Sequence, residues 1–446
     1  MKIRILGDGL EAWTIAAVFA STGCHVELAS NMKLAVNMTS ASFLSDIEKQ
    51  NNSLKNELVE PDLIRLIVEQ KDRLTVIPQD NEYRDHIDIL LDARLDAAEE
   101  KHLIALERYA NSCSENNNLG VYVLTQPVKV GATDALEERL KNTGLTCIDC
   151  VYWPLFIESG RAVESYVTAE RYIIGGGCEE SQNKIKQLIH PFNRNNSSIM
   201  LMPAKAAEMT KLAINGMLAT RVSFMNELAA LASEHEVDID FVRQGLGSDP
   251  RIGSQYLYPG CGFGGDAFLN TLNHLSEEFE RGKESKKYNL LSSVWEINQQ
   301  QKDLLFQKFW RYFNADIKGC SVAIWGCAFK PETASIIGSA ALELIPSLLA
   351  HDVFIKIYDP IAANSVQSWL GEHPLVEYSS SPEESAQDVN AIMLLTDWKI
   401  FWNLDLRSIA KLMRTPLLLD GRNIYDPEQA RTSGLIYSGI GRGETI

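Results

Sequence analysis

The chain has 446 residues, 45% hydrophobic and 23% charged, enough to bury the cores of two or three domains. Its formal charge of −17 argues against nucleic acid as a partner, because phosphate backbones are met by net or local basic surface. No stretch approaches the apolar length of a membrane span, and the opening MKIRILGDGL enters a strand pattern at once, so the expectation is a cytoplasmic protein that makes no membrane contact.

Residues 2–6 (KIRIL) predict a strand, GDGLEA a turn, AWTIAAVFASTG a helix ending on Gly23, and HVELAS a second strand. That order of strand, glycine turn, helix and strand opens a doubly wound nucleotide-binding domain. Further strands are expected at 74–78, 87–91, 121–125, 146–153 and 171–176, with helical or polar stretches between them, which implies a mainly parallel sheet and a first domain ending near 200. From Pro203 to about Glu234 the chain is rich in Ala, Leu and Met and predicts one long, largely buried helix. A second α/β pattern starts near 320: CSVAIWG as a strand, SAALELIPSLLAHD as a helix, VFIKIYDP and AIMLLTD as strands, and PLLLDG as the last strand before the tail. The fold class is therefore α/β, with two Rossmann-like doubly wound domains joined by a long central helix.

Eight scattered cysteines show no disulfide-scaffold density, and Cys147-x-x-Cys150 has no second pair or nearby histidines to complete a zinc site. The eight histidines form no H-x-x-H grouping, so no metal is expected.

Gly7-Asp8-Gly9-Leu10-Glu11-Ala12 fits G-x-G-x-x-G/A, in which Gly7, Gly9 and Ala12 let a pyrophosphate approach the helix N-terminus. NAD normally finds an acid at the end of the second strand, but HVELAS ends in Ser30. Two readings stay open. Ser30 and Asn31, with Lys33, receive the 2′-phosphate of NADP, or the site no longer takes a dinucleotide.

A second glycine stretch, YPGCGFGGDAFLNTL at 258–272, follows AAEMTKLAINGMLATRVSFMNELA and GSDPRIG and precedes WGCAFKPET (325–333) and LLLDGRNIYDPEQ (417–429). Together these segments, in this order over nearly the whole chain, resemble the UDP-glucose/GDP-mannose dehydrogenase family. The resemblance implies an enzyme that oxidises the C6 alcohol of a nucleotide sugar to a carboxylate with two NAD and a cysteine, which forms a thiohemiacetal and then a thioester. It also implies three parts: a dinucleotide-binding-like domain at 1–200, a central helical dimerisation domain at 201–300, and a nucleotide-sugar-binding domain at 301–446.

Several family positions are replaced. In the family's G-x-G-F-G-G-x-C-x-P-K-D loop, Ala267 stands at the nucleophile's place, and Asn270 and Thr271 replace the lysine and aspartate. Cys261, six residues upstream, gives no reason to expect its sulfur at the same point. P-E-F-L-x-E-G becomes Pro154 to Gly160 with Leu155 and Ser159 at the acids, S-T-V-P-x-G-T becomes Gln126 to Ala132, and the V-x-T-P turn becomes Leu91 to Arg94. In the F-K-P-x-T-D-D-x-R segment, Ile337 ends a stretch without the family's arginine.

Other positions are kept. Lys211 and Asn215, at i and i+4 on the long helix, match the pair that polarises the reacting oxygen. Arg251 matches an arginine offered to the neighbouring subunit's substrate; Tyr256, Phe263, Gly264 and Gly265 match sugar and nucleotide contacts; Lys330 and Arg422 match residues near the diphosphate and sugar. The resemblance thus implies a nucleotide sugar as ligand, a UDP-sugar first, and a homodimer or a heterodimer with an active homologue. Two functions remain: a nucleotide-sugar-binding protein, degenerate or regulatory in sugar-nucleotide or glycan biosynthesis, without the cysteine-dependent oxidation; or an oxidoreductase using NAD or NADP for a single two-electron step on a nucleotide sugar. A third, minor reading is a full dehydrogenase with relocated groups.

Overall fold

The computed structural model describes residues 1–31, 58, 60–79, 86–94, 99–116, 119–145, 147–193, 198–281 and 289–443. The chain divides into two compact units, Met1–Ala213 and Ile214–Ile446.

The first unit contains strands β1 (Lys2–Leu6), β2 (His25–Ala29), β3 (Leu74–Ile77), β4 (Ile89–Asp92), β5 (Gly120–Leu124), β6 (Ile148–Tyr152), β7 (Arg171–Gly176) and β8 (Ser198–Met202). Its helices are α1 (Leu10–Ser21), α2 (Leu63–Glu69), α3 (Glu99–Asn116), α4 (Ala132–Asn142), α5 (Ala162–Val167), α6 (Glu179–Ile189) and the first turns of α7 (Ala204–Glu234). The sheet order is β3-β2-β1-β4-β5-β6-β7-β8, parallel except where β6 meets β7. Strand β5 is apolar along its length because helices cover both sheet faces, whereas in β1 Lys2 and Arg4 pair with Glu27 of β2. Ile3, Ile5, Val121 and Val123 point into one core, and Leu6, Tyr122 and Leu124 into the other. On the first face Phe19 sits 6.1 Å from Trp153 and 5.8 Å from Tyr166 by ring centroid. Each such fully buried ring stabilises the unit by roughly 1.5–3 kcal/mol relative to exposure. The chain winds from β1 out to β3 and returns to β4 on the other side of β1, which creates a switch point with a crevice at the strands' carboxyl ends.

The second unit holds the rest of α7, then α8 (Ile239–Ser248), α9 (Asp266–Arg281), α10 (Leu290–Tyr312), β9 (Ser321–Trp325), α11 (Ala341–Leu349), β10 (Phe354–Tyr358), β11 (Val376–Tyr378), β12 (Ala391–Leu394), β13 (Leu417–Asp420) and β14 (Ile436–Ser438), with further short helices after β10. Its all-parallel sheet has the order β11-β10-β9-β12-β13-β14 and a second switch point between β9 and β12. Trp325 stacks on Phe401 on one face, while Val322 and Ile324 meet Met225, Leu305 and Phe309 on the other. The strand at PLLLDG is not the last: β14 follows it, and β8 and β11 also went unpredicted. β11 and β14 have three residues each, too few for a periodic signal.

Helix α7 has 31 residues and is about 46 Å long at 1.5 Å per residue. Within the second unit Met225, Ala229 and Ala232 are buried in the core, whereas Met217, Phe224 and Leu231, seven residues apart, are 63, 49 and 49% exposed.

Candidate functional site

In the first unit the glycine turn between β1 and α1 has the backbone its sequence predicts. Gly7 has φ +145°, and a Cβ there would lie 2.9 Å from the Ala93 carbonyl oxygen, so glycine is required. Gly9 precedes α1 in extended conformation, and Ala12 is fully buried. The two acids of the turn make the crevice unusual. The Asp8 carboxylate reaches the end of β2, where it accepts from the Ser30 hydroxyl, from the Asn31 backbone N–H at 2.9 Å, from Asn31 Nδ2 at 3.0 Å and from Gln79 Nε2 at 3.0 Å. Glu11, in the first turn of α1, accepts from Gln126 Nε2, which lies beyond the end of β5. Burial pushes the Glu11 carboxyl above its usual range, opposed by the Lys211 charge and the Gln126 hydrogen bond.

At the end of β4 the fully buried Asp92 accepts from Arg94 Nε at 2.9 Å, from His102 Nδ1 at 2.8 Å and from the Tyr122 hydroxyl. Although burial raises an acid, the hydrogen bonds from Arg94 and His102 together with their charges hold the Asp92 carboxyl far below the usual carboxylate range. Lys211 is itself buried: its Nζ donates to the Leu155 carbonyl at 2.6 Å and lies 4.5 Å from the Phe156 ring centroid. Burial lowers its ammonium's pKa, and the Glu11 charge opposes that shift. Lys33 lies outside the described residues.

In the second unit the glycine loop leads straight into α9. Gly262 and Gly265 have φ +85° and +97°, and Gly264 packs so closely that a Cβ would lie 2.6 Å from the Gly338 carbonyl. The loop backbone is tied down by Gly260 N–H to Asn226 Oδ1 (2.9 Å), Cys261 N–H to the Gly421 carbonyl (2.9 Å), Phe263 N–H to Asn298 Oδ1 (2.8 Å) and Gly265 N–H to the Ile337 carbonyl (2.8 Å). Arg422 donates through Nε to the Leu395 carbonyl at 2.6 Å and through Nη1 to the Gly262 carbonyl at 3.3 Å. Beside it lies a recess of about 250 Å³ that Arg243, Tyr258, Tyr425 and Arg442 help to line.

Ala267 falls in the first turn of α9. Cys261 is fully buried, its Sγ donates to the Leu395 carbonyl at 3.5 Å, and burial pushes its thiol up, away from thiolate. Asn215 Nδ2 donates to Thr271 Oγ1 at 3.0 Å, and Asn270 Nδ2 to Asp266 Oδ1 at 3.0 Å. Arg251 has an 87% exposed side chain that pairs with Asp249 two residues back. Tyr256 is held at φ +58°, Phe263 meets Phe268 edge to face at 5.2 Å, and Lys330 Nζ lies 5.9 Å from the Phe329 ring centroid.

Sequence models of the UDP-glucose/GDP-mannose dehydrogenase family match twice: the central domain over residues 205–300 and the UDP binding domain over 323–427. UDP-glucose 6-dehydrogenase TuaD of Bacillus subtilis is 30% identical over 99% of this chain and 93% of its own length. The chain belongs to the UDP-glucose/GDP-mannose dehydrogenase family. The UDP-glucose 6-dehydrogenase of Pseudomonas aeruginosa is 39% identical over 65% of this chain and 64% of its own. Among solved structures, a UDP-glucose dehydrogenase from Pyrobaculum islandicum matches with a TM-score of 0.82 over 99% of this chain and 97% of that one, at 22% identity. A UDP-D-ManNAc dehydrogenase from Pyrococcus horikoshii gives 0.77 over all of both chains, again at 22%. At that identity the structures speak for the fold alone.

Within the UDP-glucose/GDP-mannose dehydrogenase family the resemblance implies NAD, and the side chains of the first unit's crevice are a poor match for it. A dinucleotide diphosphate would meet the N-terminus of α1, where Glu11 brings a carboxylate, and Asp8 brings a second one to the end of β2. Gln126 Oε1 is buried without a hydrogen-bond partner. Among the described residues no group of three or more His, Cys, Asp or Glu could hold a metal, and no helix is long and apolar enough to cross a membrane.

The structure also identifies residues that sequence reasoning passed over. Asp8 and Glu11 stood at variable positions of the glycine motif. Asn226 and Asn298 pin the second loop, and Arg221 holds the Ile252 and Gly253 carbonyls at 2.9 Å each. Asn298 and Lys302, both buried and one turn apart on the polar-looking α10, gave the one available signal: two polar residues at i and i+4 on a face that has to be covered.

Proposed function

We propose that this protein binds a nucleotide sugar, a UDP-sugar first, through its C-terminal part and does not oxidise it to a uronate. The carrying observation is alanine at position 267, where the family's loop presents its thiol, in a loop whose own cysteine is buried against a carbonyl. A thiohemiacetal needs a thiolate within reach of the aldehyde, and neither residue supplies one. Thr271 in place of the family's aspartate accepts the Asn215 amide but carries no charge to organise a base. Support for the ligand comes from the UDP binding domain match over 323–427, from the rigidly pinned glycine loop, and from Arg422 beside the recess.

In this reading residues 1–200 form a dinucleotide-binding-like part, 201–300 a dimerisation part and 301–446 the nucleotide-sugar part. Arg422, Lys330, Tyr256, Phe263, Gly264 and Gly265 contact the ligand, and Arg251, exposed on its loop, reaches the ligand of a second subunit. The exposed apolar row Met217, Phe224 and Leu231 on α7 supports a dimer, formed with a second copy or with an active homologue. The protein acts in the cytoplasm, as a partner or regulator in sugar-nucleotide or glycan biosynthesis.

The retention of Lys211 and Asn215 favours a second reading, a single two-electron step on a nucleotide sugar with NAD or NADP. One experiment separates the two: calorimetric titration with UDP-glucose, followed by absorbance at the reduced-nicotinamide band with NAD or NADP present and chromatography for uronate. Saturable UDP-glucose binding with a flat absorbance trace is expected. Hydride transfer without uronate would establish the second reading, and uronate would overturn both.

A further inference from the structure

We infer that the crevice of the N-terminal sheet is closed to dinucleotides by two side chains of its own glycine turn, Asp8 and Glu11. The inference deepens the proposed function and rests on it in one respect, that the nucleotide sugar is the only nucleotide the chain needs.

In an open α/β sheet the ligand lies outside the carboxyl ends of the strands at the switch point, here between β1 and β4. A dinucleotide makes two demands there: backbone N–H groups at the N-terminus of α1 for its diphosphate, and at the end of β2 either an acceptor for ribose hydroxyls or donors and a cation for a 2′-phosphate. The backbone could meet the first demand, since Gly7, Gly9 and Ala12 leave the turn free of side chains. The acids beside them remove the opportunity. Glu11 puts a carboxylate at the positive end of α1 and links it to Gln126 from beyond β5, so the hydrogen bond runs from one side of the switch point to the other. Asp8 takes the place at the end of β2, where its two oxygens accept four hydrogen bonds from Ser30, Asn31 and Gln79.

Both versions of the cofactor fail on the same geometry. The NADP version would use Ser30 and Asn31 as donors to a 2′-phosphate, but both donate to Asp8, whose charge repels a phosphate. The NAD version would offer the ribose an acid, but the Asp8 oxygens are taken up by protein donors, and the diphosphate still meets Glu11. Lys33, the cation the sequence offers to a 2′-phosphate, lies outside the described residues, and Arg94, after the end of β4, is bound to Asp92.

The test uses full-length protein and four probes, NAD, NADH, NADP and NADPH, with titration calorimetry and reduced-nicotinamide fluorescence, and UDP-glucose titrated on the same preparation. Wild type should show no saturation with any dinucleotide. The double variant Asp8→Ser with Glu11→Val should bind NAD or NADH at least ~30-fold more tightly, which corresponds to about 2 kcal/mol. Glu11→Gln, which removes the charge and keeps the shape, should give a smaller gain in the same direction and serves if the double variant fails to fold. Saturable binding of any dinucleotide by wild type overturns the inference, as do folded variants that gain nothing. Loss of UDP-glucose binding by wild type would sink the proposed function and leave the glycine-turn result standing.

Discussion

The coupling between Lys211 and Glu11 gives the sharpest test of the first unit's interior. Lys211 hydrogen-bonds a carbonyl rather than a carboxylate, and Glu11 bonds an amide, yet each charge acts on the other. No carboxylate oxygen of Glu11 lies within the 4.0 Å of an ion pair with Lys211, so the interaction is through space. Two unit charges 4 Å apart at an effective dielectric constant of 20 attract by about 4 kcal/mol, which sets the upper bound; at greater separation about 1–3 kcal/mol is expected. A double-mutant cycle isolates that quantity: Lys211→Met, Glu11→Gln and the pair, unfolded in urea at pH 7.5 and followed by circular dichroism and tryptophan fluorescence. The pair should cost less than the sum of the singles by about 1–3 kcal/mol. The pH dependence carries a sign. Because burial raises the Glu11 pKa in the folded state, its contribution is fully present below its unfolded value and is lost as pH rises through the folded one. Glu11→Gln should therefore gain on wild type as pH rises from 4 towards 7 (roughly the span over which a raised carboxyl ionises), and in the Lys211→Met background the crossover should move to higher pH. A coupling below about 0.5 kcal/mol would refute the electrostatic link.

Four other predictions follow from single sites. Asp92→Asn should cost about 3–5 kcal/mol at pH 7, since it leaves Arg94 without its carboxylate in a buried site; because the Asp92 pKa is depressed, the difference from wild type should shrink as pH falls below about 4, as measured by urea midpoints at pH 7 and 3. Gly264→Ala should destabilise by about 1–3 kcal/mol and weaken UDP-glucose binding in calorimetry, because its Cβ meets the Gly338 backbone. Gly245→Ala, in α8 with open space around it, should instead gain about 0.5–1 kcal/mol. Phe224→Glu should turn a dimer into a monomer by light scattering while moving stability by less than about 0.5 kcal/mol, and a monomeric wild type would refute the α7 interface.

How far the fold was legible depended on how much pattern each element carries. VYVLT is apolar but for its last residue because both faces of its sheet are covered, and KIRIL shows itself by alternating Lys2 and Arg4 with Ile3 and Ile5; VEY and IYS at the edges of the second sheet offer three residues each. The glycine positions were legible because each answers to a backbone requirement that no other residue meets, as φ +145° at Gly7 and the contact at Gly264 show. Asp8 and Glu11 were not, since the motif leaves their positions open and only the folded turn brings one to the end of β2 and the other to Gln126. Helical spacing put Lys211 and Asn215 on one face, but what each touches is decided by tertiary neighbours, Leu155 for the first and Thr271 for the second.

On the proposed reading, those neighbours also bear on whether returning one residue would give the oxidation. A site that had merely lost its function would leave buried polar groups facing vacated partners, each costing about 1–3 kcal/mol. Here the replacements mostly satisfy one another: Thr271 accepts from Asn215, Gln126 donates to Glu11, and Ser30 donates to Asp8, with Gln126 Oε1 as an exception. Ala267→Cys should accordingly return a cysteine to the first turn of α9. It should nonetheless yield no uronate from UDP-glucose with NAD, because the groups that would organise a base and polarise the oxygen stay replaced or engaged, and losing even one such donor costs about 10²–10³ in rate. Uronate from the single variant, detected by mass spectrometry, would show that the surrounding residues are still arranged for the oxidation and that alanine alone had silenced it.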